Sequence, residues 1–323
     1  MTAKLDANQL RPARVAVVGV GNVGATFAYA LLLSGLAAEI VLIDANRAKA
    51  EGEAMDLNHT VPFTHPTRVW AGDYSNCAGA VVTVLTAGAG QKPGETRLDL
   101  IKKNAAIWRD IIPNVVKNNP NGILLIATNP VDVLTYAAWK LSGLPSERVI
   151  GSGTILDTAR FRYLLSQHFR VDASSVHAYI IGEHGDSEVP VWSLANIAGM
   201  RLPEFCKMQG LKHDPKAMDE IFTQTRDAAY RIIERKGATY YAVAAGLMRI
   251  TQAILRNQST VLSVSSLVKD YYGITDVCFS LPTVVDRGGI EKAIRLELDP
   301  DEIEQLKHSA ELLRKIVSTL NLG

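Results

Sequence analysis

Arg14-Val-Ala-Val-Val-Gly19-Val-Gly21-Asn-Val-Gly24, continued by a run of helical composition from Ala25 to Leu33 and by Glu39-Ile-Val-Leu-Ile-Asp44, is the stretch on which the fold turns. Its first segment is short, continuously apolar and β-branched, the composition of a strand buried on both faces of a parallel sheet. Three glycines then separate strand from helix, and a second buried strand ends in a carboxylate. Each glycine has a separate task in a dinucleotide-binding turn: Gly19 permits the tight reversal, Gly21 lets the backbone approach a pyrophosphate, and Gly24 lets the helix pack on the strand. The helix N-terminus turns unpaired amides and a positive dipole end toward the phosphates. Asp44 stands twenty residues after Gly24, where it can accept hydrogen bonds from the adenosine ribose hydroxyls and would repel a 2′-phosphate. The cofactor expected is therefore NAD and not NADP.

The alternation continues outward from this unit. Ala80-Val-Val-Thr-Val-Leu85 and Gly122-Ile-Leu-Leu-Ile-Ala127 are further buried strands, separated by the loop Gly88 to Glu95 and a helix from about Arg97 to Lys117. They end in Thr86-Ala87-Gly88 and Thr128-Asn129-Pro130, which should line a crevice at the carboxyl ends of the strands. Val149-Ile150-Gly151 closes this half. Beyond it the grammar changes: helices are expected over Thr154 to His168, Asp214 to Arg235 and Ala238 to Leu255, a strand over Val176 to Ile181, β structure over Val261 to Val285, and a closing amphipathic helix over Asp299 to Leu320. The fold class read from this order is α/β, a Rossmann-type doubly wound parallel sheet followed by a mixed α+β substrate domain, with a division at 1–152 and 153–323.

Bulk properties narrow the function. A net charge of +1 with no basic stripe argues against nucleic acid or an anionic membrane surface as partner. Cys77, Cys206 and Cys278 are far apart and have no CxxC spacing, as suits small core thiols in a reducing cytoplasm. The first dozen residues lack the apolar core of a signal peptide, and no apolar run approaches the ~20 residues that span a bilayer. A soluble, cytoplasmic enzyme is expected.

The chemistry centres on Ile181-Gly182-Glu183-His184-Gly185-Asp186, a histidine between glycines and carboxylates at a strand end. Histidine titrates near neutrality and so can give and take a proton. The glycines would break the helix that a zinc-binding histidine pair requires, and no metal is implied. Leu156-Asp-Thr-Ala-Arg160 places Asp157 and Arg160 one turn apart on a helix face. A carboxylate there can orient an imidazole, and a guanidinium can grip a substrate carboxylate through paired hydrogen bonds. Gly90-Gln-Lys-Pro-Gly-Glu-Thr-Arg97 has the composition of a lid carrying a second guanidinium. Taken singly, each also fits a blander role: a solvated turn, an intrahelical salt bridge, a helix-capping arginine.

Together and in this order, Gly19 to Gly24, Gln91-Lys-Pro-Gly-Glu-Thr-Arg97, Thr128-Asn-Pro-Val-Asp132, Leu156 to Arg160 and Gly182-Glu-His-Gly-Asp186 make the chain similar to the lactate/malate dehydrogenase family, most nearly its bacterial L-lactate dehydrogenases. The resemblance runs from about Arg14 to the last helix. It implies that His184 is the acid/base at the substrate carbonyl, that Asp157 holds its ring, that Arg160 binds the substrate carboxylate and that Arg97 polarises the carbonyl. It further implies substrate contacts from Gln91, Asn129, Asp132 and Thr239. Cofactor contacts are implied for Gly19, Gly21, Val23, Gly24, Asp44, Lys49, Tyr74, Gly88, Ala89, Asp110, Ala127, Thr128, Asn129 and Ser152.

Gln91 separates the two branches of the family. Malate dehydrogenases carry arginine at this point of the lid to meet a second substrate carboxylate, which a neutral glutamine would leave unpaired at a cost of several kcal/mol. Pyruvate and (S)-lactate are thus the implied substrates. Oxaloacetate and malate are the alternative, and a catalytically silent NAD-binding protein of the same fold is a second one. Arg162 and His177 match the positions at which bacterial relatives bind fructose bisphosphate between subunits. The family's usual assembly implies a homotetramer.

Overall fold

The computed structural model of the chain describes residues 13–90 and 97–320. Strand β1 (Arg14–Val18) leads into α1 (Asn22–Ser34), β2 (Glu39–Ile43) and α2 (Arg47–Thr60), and then into β3 (Arg68–Ala71) and β4 (Ala80–Leu85). After these come α3 (Arg97–Asn118), β5 (Ile123–Ile126), α4 (Val131–Ser142) and β6 (Val149–Gly151). The six strands pair in parallel in the order β3-β2-β1-β4-β5-β6. Both faces of the sheet are covered, as the unbroken apolar runs require. Phe27 and Leu31 of α1 and Leu57 of α2 pack on one side, Trp108 and Ile112 of α3 and Leu134 of α4 on the other. Chain direction across the sheet reverses between β1 and β4, which opens a crevice at the carboxyl ends of the strands.

The second half contains α5 (Ile155–Phe169), the short strands β7 (Val176–His177), β8 (Ile180–Ile181), β9 (Val189–Pro190), β10 (Asn196–Ile197) and β11 (Met200–Arg201), and helices α6 (Leu202–Met208), α7 (Pro215–Arg226), α8 (Ala228–Lys236) and α9 (Tyr241–Arg256). Then come β12 (Thr260–Val268), β13 (Val277–Asp286), β14 (Gly289–Ala293) and α10 (Pro300–Ser318). These last strands continue the first sheet. Ser265 of β12 pairs antiparallel with Gly151 of β6, and β13 and β14 add on, for nine strands in all. Helix α9 meanwhile packs back onto α1, putting Leu247 and Ile250 into the core of the first half.

Two sequence expectations are corrected here. The strand read over Val176 to Ile181 is interrupted: Ala178 gives its carbonyl to Arg162 (2.8 Å) and Tyr179 gives its carbonyl to the Val191 amide (2.9 Å), so β7 and β8 pair with different partners. The long helix read over Asp214 to Arg235 is two helices meeting at Asp227. The first buries Met218, Ile221 and Thr225, whereas no residue of the second is buried. Apolar periodicity carries through such a bend and does not reveal it.

The seam between the halves is tight at Gly153, which has φ +53° and whose missing Cβ would lie 2.5 Å from the Ser265 amide nitrogen. Gly143 also has positive φ (+64°) but faces open space. Gly153→Ala should therefore cost about 3 kcal/mol by denaturant unfolding and Gly143→Ala about 1 kcal/mol, because only the first adds a backbone clash to the left-handed strain. Equal losses would contradict this account of the seam.

Candidate active site

Two clefts meet the carboxyl edge of the sheet. The first, of about 690 Å³, is lined by Gly19, Gly21, Asp44, Lys49, Tyr74, Gly88, Ala89 and Asp110 among others. That volume lies in the range of small-molecule and cofactor sites. The glycine-rich turn is shaped as its spacing foretold. Gly19 has φ +97° and a Cβ there would sit 2.4 Å from the Ala87 amide nitrogen; a Cβ on Gly24 would sit 2.0 Å from the Gly19 carbonyl oxygen. A Cβ on Gly21 would meet nothing within 4 Å, so this backbone is open to a ligand. Asp44 accepts the Val20 amide on Oδ2 and the Asn46 amide on Oδ1, both at 2.8 Å, which locks its carboxylate against the turn. Arg47 also lines the cleft, but its guanidinium is engaged by Glu51 (2.8 Å) and the Ala71 carbonyl (3.0 Å). The residues present fit NAD: an open glycine turn for the pyrophosphate and a fixed carboxylate where a 2′-phosphate would have to stand.

The second cleft, of about 470 Å³, is lined by Asn129, Asp157, Arg160, His184, Glu188 and Arg226 with neighbours from α8. His184 stands on a loop tied down from several directions. Gly182 exchanges two 2.9 Å hydrogen bonds with Ser280 of β13, the Glu183 amide donates to Ser309 of α10 (2.9 Å), and the His184 amide donates to Asp132 Oδ2 of α4 (2.7 Å). The ring itself is held through Nδ1, 2.5 Å from Asp157 Oδ2 of α5. The other Asp157 oxygen accepts from Arg160 Nη1 at 2.9 Å.

The electrostatics follow from burial and pairing. Burial opposes an imidazolium at His184, but the Asp157 carboxylate, helped by Asp132, outweighs it and pushes the histidine up to about 9. Burial would raise Asp157, yet the His184 and Arg160 charges more than reverse this and hold its carboxyl low. Asp132, buried behind the histidine, is pushed up to about 6 despite the nearby Ser265 hydroxyl and the His184 amide. A buried acid held ionised beside a cationic imidazole at a cleft wall is a proton-transfer arrangement.

Comparison with known proteins agrees with this geometry. Residues 13–151 match the family model of the lactate/malate dehydrogenase NAD-binding domain, and residues 154–321 match that of the lactate/malate dehydrogenase alpha/beta C-terminal domain. The chain belongs to the lactate/malate dehydrogenase family. It is 53% identical to the L-lactate dehydrogenase of Acetivibrio thermocellus over 96% of this chain and 98% of that one. It is likewise 53% identical to the L-lactate dehydrogenase of Priestia megaterium, over 94% of this chain and 95% of that one. Among solved structures, the minor L-lactate dehydrogenase of Enterococcus mundtii in a ligand-bound form superposes with a TM-score of 0.94 at 42% identity, covering 97% of this chain and 99% of the other. Membership makes the protein an NAD-dependent 2-hydroxy acid dehydrogenase by family.

The family motifs converge in part as the sequence implied. His184, Asp157, Arg160 and Asn129 share the second cleft. Asp132 does not line it: at 2% exposure it acts from behind, on the His184 backbone. Thr239 lies beyond α8 and outside the lining. Val23, Gly24, Ala127, Thr128 and Ser152 do not line the nucleotide cleft either. Gly24 and Thr128 pack behind it, Thr128 with its hydroxyl on the Ala87 carbonyl (2.9 Å). Gln91 and the side chain of Arg97 lie outside the described residues. Sequence reasoning missed Asn104, which is 1% exposed and bridges the Ala89 amide (2.8 Å) to the Asn129 carbonyl (3.2 Å), joining the two clefts. It also missed Glu188, Arg226 and Tyr230 on the cleft wall. An asparagine inside a helical pattern carries no local mark of such a task.

Replacing Asp157 by Asn removes the charge that sustains the imidazolium while burial persists. The His184 titration followed by NMR should then fall from about 9 to the ordinary 6.5 or below. An unmoved titration would show that some other group supports the proton.

Proposed function

We propose that the protein is an L-lactate dehydrogenase that interconverts pyruvate and (S)-lactate, the closing step of fermentation. The observation that carries this reading is the His184–Asp157–Arg160 chain on one wall beside Asn129, next to a cleft suited to NAD. Because Asp157 holds Nδ1, Nε2 is the nitrogen left to serve substrate. As imidazolium it donates a proton to the pyruvate carbonyl oxygen; as neutral imidazole it takes that proton from the lactate hydroxyl. The hydride is supplied or accepted by the nicotinamide of bound NAD. Arg160, anchored on Asp157 through one nitrogen, has the rest of its planar fork to pair with the substrate carboxylate, and Asn129 stands by to hydrogen-bond the reacting oxygen. Arg97, the first residue of α3, is assigned to carbonyl polarisation, and Gln91 to the choice of a methyl-bearing substrate. The division at 1–152 and 153–323 is kept as nucleotide and substrate parts.

The same reading includes a cytoplasmic homotetramer, supported by exposed apolar side chains on α2 and just beyond it, Met55 at 62% and Phe63 at 87%. It also includes a fructose bisphosphate effector. Arg162 is half-buried, reaches the Ala178 carbonyl (2.8 Å) beside exposed His177, and pairs with no carboxylate among the described residues. A guanidinium so placed suits a phosphate.

With NADH, pyruvate should be reduced with a kcat/KM roughly 100-fold or more above that for oxaloacetate, and Gln91→Arg should narrow or reverse the ratio. Faster oxaloacetate turnover would favour malate dehydrogenase, and no turnover of either the silent protein. The reaction also fixes a pH signature. Pyruvate reduction needs the imidazolium and should decline above about pH 9, whereas lactate oxidation needs the neutral ring, so the ratio of lactate oxidation to pyruvate reduction should rise through the same range. Fructose bisphosphate should lower the pyruvate half-saturation, and Arg162→Gln should abolish that response; an equal response in both would remove Arg162 from the effector site.

A further inference from the structure

Glu188 takes no part in the proton transfer described above, yet it lies four residues beyond His184 on the same cleft wall. Its amide closes a turn onto the Gly185 carbonyl (3.2 Å), which folds the side chain inward to 6% exposure. Among the described residues its buried Oε1 has no hydrogen-bond partner, and no cation comes within ion-pair distance of it. The charged groups around it come from every neighbouring element: Asp157 and Arg160 from α5, His184 and Asp186 from the loop, and Arg226 from α7, with Tyr230 of α8 engaged on Asp186 (3.0 Å). An ionised carboxylate in this position would be a buried charge without a direct counter-ion among the described residues and opposed by Asp157, the situation in which a carboxyl keeps its proton.

From this geometry we propose that Glu188 is a neutral carboxylic acid in the working enzyme, and that its ionisation at high pH shuts the cleft to 2-oxo acid anions. The inference rests on the 2-oxo acid reading of the cleft. A protonated Glu188 adds no charge to the wall on which a substrate carboxylate must settle. Loss of its proton to solvent places an anion there, beside the carboxylate that Arg160 is to bind. Burial first, and the Asp157 charge second, push the group up to about 9, so it loses its proton in the same range as His184. Because the imidazolium and the carboxylate attract, loss of the first proton holds the second, and the two leave in succession. Reduction then requires both protons, and the alkaline limb for pyruvate reports two losses in place of one.

Two measurements on the full-length enzyme decide the matter. Infrared difference spectra of the protein without substrate, between about pH 7.5 and about pH 10.5, should show a protonated-carboxyl carbonyl band that disappears on raising the pH. Asp132, pushed up only to about 6, is already ionised at the start of that range. Glu188→Gln should lack the band. In steady-state kinetics the limiting alkaline slope of log kcat/KM for pyruvate should be steeper than one proton in the wild type and one proton in Glu188→Gln. Absence of the band from the wild type at about pH 7.5, or a one-proton limb in both proteins, would overturn the proposal. Should pyruvate not be turned over at all, the substrate reading fails while the infrared band still decides the state of Glu188.

Discussion

The contact between His184 and Asp157 is the constraint around which the molecule is arranged. A carboxylate 2% exposed is stable as an anion only when charge and hydrogen bonds meet it, and here both oxygens are met, one by the imidazole and one by Arg160. Each partner raises the charged population of the other. Separating either from the site would leave an unpaired buried charge, a cost of roughly 3–5 kcal/mol in comparable cases. The pair is therefore both a structural clasp and a held proton.

Holding it requires parts from distant points of the chain. Asp157 comes from the first turn of α5, directly after the last parallel strand, and His184 from a loop bonded to β13, α10 and α4. That loop is fixed because β12–β14 extend the first sheet and bring Ser280 into register beside it. Asn104 performs a related task for the cofactor side, linking the Gly88–Ala89 turn to Asn129. The two clefts thus share a frame, as hydride transfer between a cofactor in one and a substrate in the other would demand.

Much of this was legible in advance. The strand–glycine–helix–strand unit announced itself because backbone sterics and phosphate approach leave few residues able to serve at Gly19, Gly21 and Gly24, and those demands are local. His184, Asp157 and Arg160 were legible as a set because the family motifs occur in order. Less legible were Asp132, which looked like a substrate ligand and instead supports the His184 backbone, and the bend at Asp227, which apolar periodicity passes over. Glu188 stood in plain view in the motif region, but nothing in its neighbours by sequence foretells a buried oxygen without a partner among the described residues.

The sequence by itself determined the parallel nucleotide-binding half and the preference for NAD, because each follows from short-range requirements on backbone shape or side-chain chemistry, and through its ordered motifs it singled out His184, Asp157 and Arg160 as candidates. The tertiary structure alone decided that the sheet runs through both halves, that Asp132 and Asn104 are supports, and that the carboxyl of Glu188 is shut away from water. Those outcomes depend on which atoms are excluded from solvent when residues tens to more than a hundred positions apart pack together, and burial of that kind has no signature in local sequence.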